Sequence, residues 1–388
     1  MKGFWLDSWG LEDKENCMLQ AVELARKAWG RTAPNPCVGA VVLQQGRILA
    51  WGWHQGPGLP HAEAKALQQA ALAPEYRPEE CALFVTLEPC NHQGRTPPCT
   101  RAVLEQGIRR VVVGCKDPNP GVQGGGAEYL EAQGAEVEIG VAEQACRDLI
   151  SDFMLWQQEQ RPFVLLKLAS SLDGRIGLSG GRPARISGPQ AKEQVHYLRS
   201  RVQAVLVGGG TFYQDDPGLD CRLQDFSQDK QPWAVVLGSS LPEAGTDFDL
   251  LQKRPQQTIF LTSEQEAASC RARALQRLGA RIWPLERKGS GLDLQSGLKR
   301  LFSELSCYYV LCEGGGRLGL ELMQASLADE LQLILAPKVL GDEQAVPVLW
   351  GRRVQDMREC LSWRFVAHKY LGRDLWLSLR PGLHRDFS

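Results

Sequence analysis

The sequence is short of long apolar runs. Charged and polar residues interrupt every apolar stretch of the opening segment MKGFWLDSWGLEDKEN, so neither a secretory h-region nor a membrane span fits there. An excess of charge is missing too: 44 Lys and Arg stand against 45 Asp and Glu, for a formal net charge of −1. That balance offers no broad attraction for a nucleic-acid backbone. The expectation is a small-molecule substrate, no nucleic acid, no membrane and a cytoplasmic setting. Internal repeats and low-complexity tracts do not stand out.

Twelve cysteines are present, but they are scattered through a long chain without an export signal. Free thiols in a reducing compartment are therefore expected. Cys17, Cys81, Cys115, Cys146, Cys307 and Cys312 lie in or beside apolar stretches, where free cysteine behaves as a small buried hydrophobe.

What is present is enough for two domains: 388 residues, 43% hydrophobic and 23% charged, exceed one average core and have ordinary globular balance. The periodicity predicts a helix over Asn16 to Ala28, a strand at Val38 to Leu43, a helix from His61 to Leu72 and a strand at Ala82 to Thr86. A helix over Pro98 to Gln106, a strand at Arg110 to Val113, and a shorter helix and strand ending near Ile139 follow. Strands alternating with helices indicate an α/β sandwich. The polar cluster Gln157 to Pro162, just before FVLLKLA, marks a boundary, giving domains 1–158 and 159–388. Beyond it a second α/β pattern has a helix over Pro189 to Arg201, then strands at Ala204 to Val207, Trp233 to Leu237 and Thr258 to Leu261. It closes with a strand at Tyr308 to Leu311, a glycine-rich turn, a helix near Leu318 to Gln324 and a strand at Leu331 to Leu335.

In the first half His61 opens a predicted helix, Cys90 follows a strand in Glu88-Pro89-Cys90, and Cys99 opens another helix. Zinc favours nitrogen and sulfur ligands in a tetrahedron, and three protein ligands leave the fourth position to water, as a catalytic site requires. Helix N-termini favour the thiolate the metal needs. Glu63 lies two residues after His61, close enough to shuttle protons while water, acidified by zinc to a pKa of about 7, attacks an amino-bearing ring carbon. The zinc deaminase pattern usually spaces its cysteines Pro-Cys-x-x-Cys, whereas here eight residues separate them. Alternatively, a structural zinc would want a fourth protein ligand, for which His92 or His54 is available; both, with His196, read otherwise as surface or pocket residues.

The run Thr32-Ala33-Pro34-Asn35-Pro36-Cys37-Val38-Gly39, then His61-Ala62-Glu63, then VTLEPCNHQGRTPPC from Val85 to Cys99, closely resembles the RibD family of bifunctional riboflavin-biosynthesis deaminase-reductases. The long cysteine spacing belongs to that family, as do Asp117-Pro118-Asn119-Pro120 and Gly124-Gly125-Gly126. KLASSLDGRIG from Lys167, ISGPQA from Ile186, TFYQDDPGL from Thr211, EGGGRLGLELM from Glu313 and APKVLG extend the resemblance over most of the chain. It implies a cytidine-deaminase-like α/β/α domain with one zinc ion, followed by a dihydrofolate-reductase-like α/β domain using NADPH, in a homo-oligomer. Two steps on a pyrimidine ribotide are implied: hydrolytic loss of the ring 2-amino group, then reduction of the ribosyl chain to ribityl.

By motif position the resemblance assigns Ala169, Arg185, Thr211, Asp215, Gly315, Gly316, Arg317, Leu318, Gly319, Leu320 and Glu321 to the cofactor. It assigns Asn35, Lys167, Pro183, Arg199, Leu219, Arg222 and Glu313 to substrate, with Asp173 a further pocket candidate. The residues alone support less. Glycines between a strand and a helix let phosphate approach backbone N–H groups, but a tight turn serving geometry looks the same. Arginine suits a substrate phosphate through its planar fork, and Lys167 and Asp173 read equally well as a strand-end charge and a turn aspartate. Arg185 stands where the family usually has tryptophan; an arginine plane can also stack, or meet the extra phosphate of NADPH. Two other readings stay open: a nucleic-acid base deaminase, which would want a basic groove and aromatic platforms, and a binding protein whose second domain holds a nucleotide without turning it over.

Overall fold

The computed structural model describes residues 6, 9–93, 97–119, 125–181, 185–289 and 291–382. The chain divides into two compact units, Met1–Glu159 and Gln160–Ser388.

The first unit runs α1 (Leu11–Arg26), β1 (Gly39–Gln44), β2 (Arg47–Trp53), α2 (Ala62–Ala70), β3 (Cys81–Leu87), α3 (Cys99–Glu105), β4 (Arg110–Cys115), α4 (Gly126–Ala132), β5 (Glu136–Ile139), α5 (Glu143–Leu149) and α6 (Ser151–Glu159). Its sheet has the order β2-β1-β3-β4-β5. β1 is antiparallel to both β2 and β3, while β3, β4 and β5 are parallel. All seven residues of β3 are buried, which is why its sequence CALFVTL is nearly continuous rather than alternating. Val42, Leu83 and Val111 meet Leu67 of α2, Val103 of α3 and Leu130 of α4 in one core. Each such buried side chain contributes about 1.5–3 kcal/mol relative to exposure. The consequence for function is that the ends of β3, α2 and α3 are held by a rigid scaffold.

Four elements of this unit differ from expectation at their starts or in their existence: α1 and β2, and also α5 and α6, for which no helix was expected between Ile139 and Gln157. α1 begins at Leu11 rather than near Asn16, because Asp13 accepts a hydrogen bond from the Gly10 N–H at 3.2 Å and caps a charged first turn that shows no apolar period. β2 was not anticipated: Trp51 and Ile48 are exposed, so the strand lacks a clean alternation.

The second unit runs β6 (Phe163–Ser171), β7 (Arg175–Gly177), α7 (Pro189–Arg199), β8 (Ala204–Gly208), α8 (Gly209–Asp215), β9 (Trp233–Leu237), α9 (Asp249–Lys253), β10 (Thr258–Ser263), α10 (Glu264–Ala267), α11 (Cys270–Arg277) and β11 (Arg281–Leu285). It continues through β12 (Arg287–Lys288), β13 (Gly291–Leu292), α12 (Leu294–Leu305), β14 (Tyr309–Cys312), α13 (Gly316–Gln324), β15 (Glu330–Ala336), β16 (Val346–Pro347), β17 (Trp363–Leu371) and β18 (Asp374–Pro381). The main sheet has the order β11-β10-β9-β8-β14-β6-β15-β18-β17. It is parallel from β11 to β15, and β18 and β17 are added antiparallel. Leu166, Leu206, Val235 and Leu261 from neighbouring strands share a core with Leu298 of α12 and Leu322 of α13.

Arg161 anchors the start of β6. Its buried guanidinium donates to both oxygens of Asp329, at 2.7 and 2.8 Å, and Asp329 also accepts from the Val164 N–H at 2.7 Å. A paired fork of this kind fixes orientation as well as charge, so it sets β6 against β15. In a parallel sheet the crevice outside the carboxyl ends of the strands is where ligands bind. That edge carries the turns after β6, β8, β9 and β14.

Candidate active sites

In the first unit His61 is the N-cap of α2, Cys99 is the first residue of α3, and Cys90 lies three residues beyond β3. Their ligand atoms lie within 4.8 Å of one another. His61 Nδ1 is 3.2 Å from Cys99 Sγ and 3.6 Å from Cys90 Sγ, and the Cys99 N–H donates to Cys90 Sγ at 3.4 Å. A tetrahedral zinc with its usual bonds to nitrogen and sulfur needs ligand atoms about 3.6 Å apart, so the donor set and its spacing fit that metal. A hydrogen bond from Cys99, reinforced by His61, draws the Cys90 thiol down to about 4, and the same partnership pushes Cys99 up.

Glu63, 3% exposed in the first turn of α2, is pushed up to about 7 by burial and then by Cys90. His54 is buried, not a surface residue. Its Nδ1 faces the Pro60 carbonyl at 3.4 Å, which can only accept, so Nδ1 carries the proton and Nε2 accepts from Asn35 Nδ2 at 3.1 Å. That leaves the Asn35 carbonyl oxygen available to a ligand. His92 is exposed.

Sequence reasoning missed Glu88, whose buried carboxylate accepts from the Asp117 N–H at 3.2 Å and the Ala127 N–H at 3.1 Å. It ties the turns after β3 and β4 to the start of α4. Gly126 has a steric reason to be glycine: a Cβ there would stand 1.8 Å from the Pro89 carbonyl oxygen. The neighbouring Pro120 and Gly124 lie outside the described residues.

In the second unit Lys167 and Glu313 each lie one step beyond Leu166 and Cys312, which are register partners in β6 and β14. Arg199, at the end of α7, donates Nε to Glu313 Oε1 at 2.6 Å, Nη2 to Oε2 at 3.1 Å, and Nη1 to the Asp220 carbonyl at 2.8 Å. Desolvation lowers Lys167, against the pull of Glu313. Burial would raise Glu313, but Arg199 outweighs it and holds the carboxyl below its usual range. Leu219 is buried in a left-handed conformation, and Arg222 is exposed, with its Nε 3.5 Å from Asp220. Asp173 accepts from the N–H groups of Leu340 and Gly341, at 3.1 and 2.8 Å, which is the work of a turn aspartate.

A cleft of about 1100 Å³ opens along the carboxyl edge of the sheet, just above the roughly 300–1,000 Å³ typical of small-molecule and cofactor sites. Of the cofactor candidates it gathers Thr211, Asp215, Gly315, Gly316, Arg317, Leu318 and Glu321. A Cβ on Gly210 would meet nothing within 4 Å, so the bare backbone leaves open space beside it. α13 begins at Gly316 with its first N–H groups at the cleft wall, as a pyrophosphate requires. These features fit an elongated dinucleotide.

Gly319 and Leu320 are buried on the core side of α13, and a Cβ on Gly319 would touch Leu166 and Leu349. A helix cannot turn seven consecutive residues to one ligand. Ala169 and Arg185 are not among the cleft-lining residues; the Arg185 carbonyl accepts from Lys338 Nζ at 3.0 Å. Pro183 lies outside the described residues. The cleft also holds Ser239, Arg287, Lys288 and Trp350, which no sequence signal singled out.

Comparison with known proteins bears on both sites. The model of the cytidine and deoxycytidylate deaminase zinc-binding region matches residues 11–115, and that of the RibD C-terminal domain matches residues 162–377. The riboflavin biosynthesis protein RibD of Aquifex aeolicus is 36% identical over 364 residues, covering 94% of this chain and 97% of that protein. RibD of Escherichia coli is 32% identical, covering 94% and 98%. Among solved structures, a Thermotoga maritima diaminohydroxyphosphoribosylaminopyrimidine deaminase/5-amino-6-(5-phosphoribosylamino)uracil reductase is 34% identical with a TM-score of 0.74, covering 96% of this chain and 99% of that one. Acinetobacter baumannii RibD is 32% identical with a TM-score of 0.73, covering 96% and 100%. Likeness over nearly the whole length, with a zinc-type donor set in one unit and a glycine-walled cleft in the other, leads to one conclusion: the chain belongs to the RibD family, the bifunctional deaminase-reductases of riboflavin biosynthesis.

Proposed function

We propose that the unit Met1–Glu159 removes the 2-amino group of 2,5-diamino-6-(5-phosphoribosylamino)pyrimidin-4(3H)-one, and that the unit Gln160–Ser388 then reduces the ribosyl chain to ribityl with NADPH. The observation that carries the first half is the gathering of His61, Cys90 and Cys99 ligand atoms within 4.8 Å, with Glu63 buried on the same helix.

His61, Cys90 and Cys99 would hold a zinc ion, whose chemistry would be to lower the pKa of a water for attack on the ring carbon. Glu63 takes a proton from the attacking water and hands it to the ring nitrogen, then takes the second proton from the newly added hydroxyl and gives it to the amine, which leaves as ammonia while the ring carbonyl forms. The place of Glu63 in the first turn of α2, buried two residues from His61, keeps the carboxyl out of bulk water. Asn35, its amide held by His54, accepts a hydrogen bond from the pyrimidine.

In the second unit the chain binds and orients. The fork of Arg199 is occupied by Glu313 and the Asp220 carbonyl, so its role is to aim Glu313 at the ribosyl hydroxyls. Arg222, exposed and only loosely paired, is the freer ligand for the substrate phosphate. Lys167, whose ammonium is disfavoured by desolvation, gives a proton at the reducing centre. Leu219 completes the substrate wall. Thr211, Asp215 and the start of α13 hold NADPH, which supplies the two electrons.

Among the described residues no helix is long and apolar enough to cross a membrane, and the cysteines are free, which supports a cytoplasmic setting. Homo-oligomer formation is supported by β17, a sheet edge that leaves Phe365 and Tyr370 exposed. The test is one sample of zinc-quantified protein given the diaminopyrimidinone, with ammonia release and then NADPH oxidation followed. Both signals are expected; ammonia alone would remove the reductase half of the proposal, and saturable NADPH binding without turnover would make the second unit a binding domain.

A further inference from the structure

The cleft in the second unit starts beside the reducing centre: Gly315 and Gly316, two and three residues after Glu313, line it, while Lys167, Arg199 and Glu313 themselves do not. Its walls run from the turn after β14, past the turns after β8 and β9, to the β12–β13 hairpin that follows β11. Since β11 is the outer strand of the sheet while β14 and β6 are interior neighbours, the cleft spans several strand spacings of about 4.8 Å each. Arg199, Glu313 and Lys167 are grouped at the β14 and β6 end. A dinucleotide that presents its reactive ring to that group lays its adenosine half toward β9 and the hairpin.

Two adjacent cations, Arg287 and Lys288, wait there, both exposed and both lining the cleft. Successive strand residues point to opposite faces, so the two are not equivalent. Lys288 Nζ reaches Asp293 Oδ1, the N-cap residue of α12, at 4.0 Å. Arg287 has no ion pair among the described residues, and its fork matches phosphate geometry. Arg317, the cation at the other end, is instead paired with Glu321 at 3.4 Å.

We infer that Arg287 determines dinucleotide specificity by pairing with the adenosine 2′-phosphate, so that it, and not Arg185, distinguishes NADP⁺ from NAD⁺. The inference rests on the reading of the second unit as an NADPH site. It is tested by titrating NADP⁺ and NAD⁺ separately into the full chain, following tryptophan fluorescence, to which Trp350 in the cleft wall contributes.

The wild-type protein is expected to prefer NADP⁺. Arg287→Ala is expected to weaken NADP⁺ by about 10- to 100-fold, the worth of a charged hydrogen-bonded contact, while leaving NAD⁺ unchanged, and Arg287→Lys to recover part of the loss. An equal loss of both dinucleotides, or no loss of NADP⁺, overturns the inference. So does a collapse of the preference in Arg185→Ala with Arg287→Ala unaffected. A wild-type protein that binds neither dinucleotide defeats the underlying NADPH reading instead.

Discussion

Arg199 grips Glu313 through two parallel hydrogen bonds, Nε to Oε1 at 2.6 Å and Nη2 to Oε2 at 3.1 Å, with both side chains about nine-tenths buried. Removing one partner strands the other's charge in a desolvated place, which costs about 3–5 kcal/mol. Arg199→Ala is therefore expected to lower the urea midpoint clearly and to abolish reduction. Ammonia release by the first unit should survive at urea concentrations below the transition. A midpoint equal to wild type would show that the pair carries no stability.

The same pair sets a pH dependence. The folded Glu313 carboxyl titrates below its unfolded value, so its contribution is full above the usual carboxylate range. It is lost as pH falls through the folded value. Urea unfolding of the second unit's transition is expected to move to lower urea on acidification, and to move less in Glu313→Gln.

Glu63→Gln keeps the shape of a buried side chain but cannot carry the proton. Zinc content is expected to stay near that of wild type while deamination falls by roughly 10²- to 10⁴-fold, and reduction of the deaminated intermediate is unaffected. Metal analysis beside an ammonia assay checks this, and full activity would take Glu63 out of the mechanism.

Cys90→Ala should lose the metal together with deamination, because two donors do not hold zinc against chelation. A chelator applied to the wild-type chain is expected to stop ammonia release and leave NADP⁺ binding intact. Zinc retained by the Cys90 variant would mean that another residue completes the site.

Gly126→Ala places a methyl group against the Pro89 carbonyl, one residue from Cys90. Forced overpacking of this kind costs about 1–3 kcal/mol, so a lowered midpoint and weaker zinc retention are expected together. Gly210→Ala, where a Cβ meets nothing within 4 Å, should instead leave stability equal or raise it by about 0.5–1 kcal/mol, as alanine does within a helix. A stable Gly126→Ala with normal zinc content would contradict the close approach.

The deaminase site was largely legible because its chemistry demands particular residue types. A metal wants His61, Cys90 and Cys99 as such, and they sit at element ends that apolar periodicity already marked. The long spacing between the cysteines departs from the general deaminase pattern and was reconciled only by the family resemblance. The reductase site was harder, since backbone and shape do much of its work. The span from Gly315 to Glu321 reads as one glycine-rich turn, yet α13 starts at Gly316 and its period of 3.6 turns Gly319 and Leu320 into the core. Arg287 gave no signal at all: on a two-residue strand it looks like any exposed arginine until the fold brings it to the cleft. The β17–β18 hairpin was missed for the opposite reason, because an edge strand with Phe365 and Tyr370 outward does not show a buried face.

The sheet order of the second unit has a bearing on how the protein is made. Strand β6 is the first of that unit to leave the ribosome, yet both its neighbours come late: Leu165 pairs with Leu311 in β14, and Leu168 with Leu333 in β15. Until those residues are synthesised, FVLLKLA is an unpaired apolar strand with two open edges. Synthesis at roughly 5–20 residues per second leaves it so for about 7 to 28 seconds. The zinc ligands, by contrast, all lie within the first unit's continuous stretch. The nascent chain is thus expected to acquire its metal centre early and to need chaperone shelter late, with β6 as the segment most exposed to aggregation when translation stalls between β6 and β14.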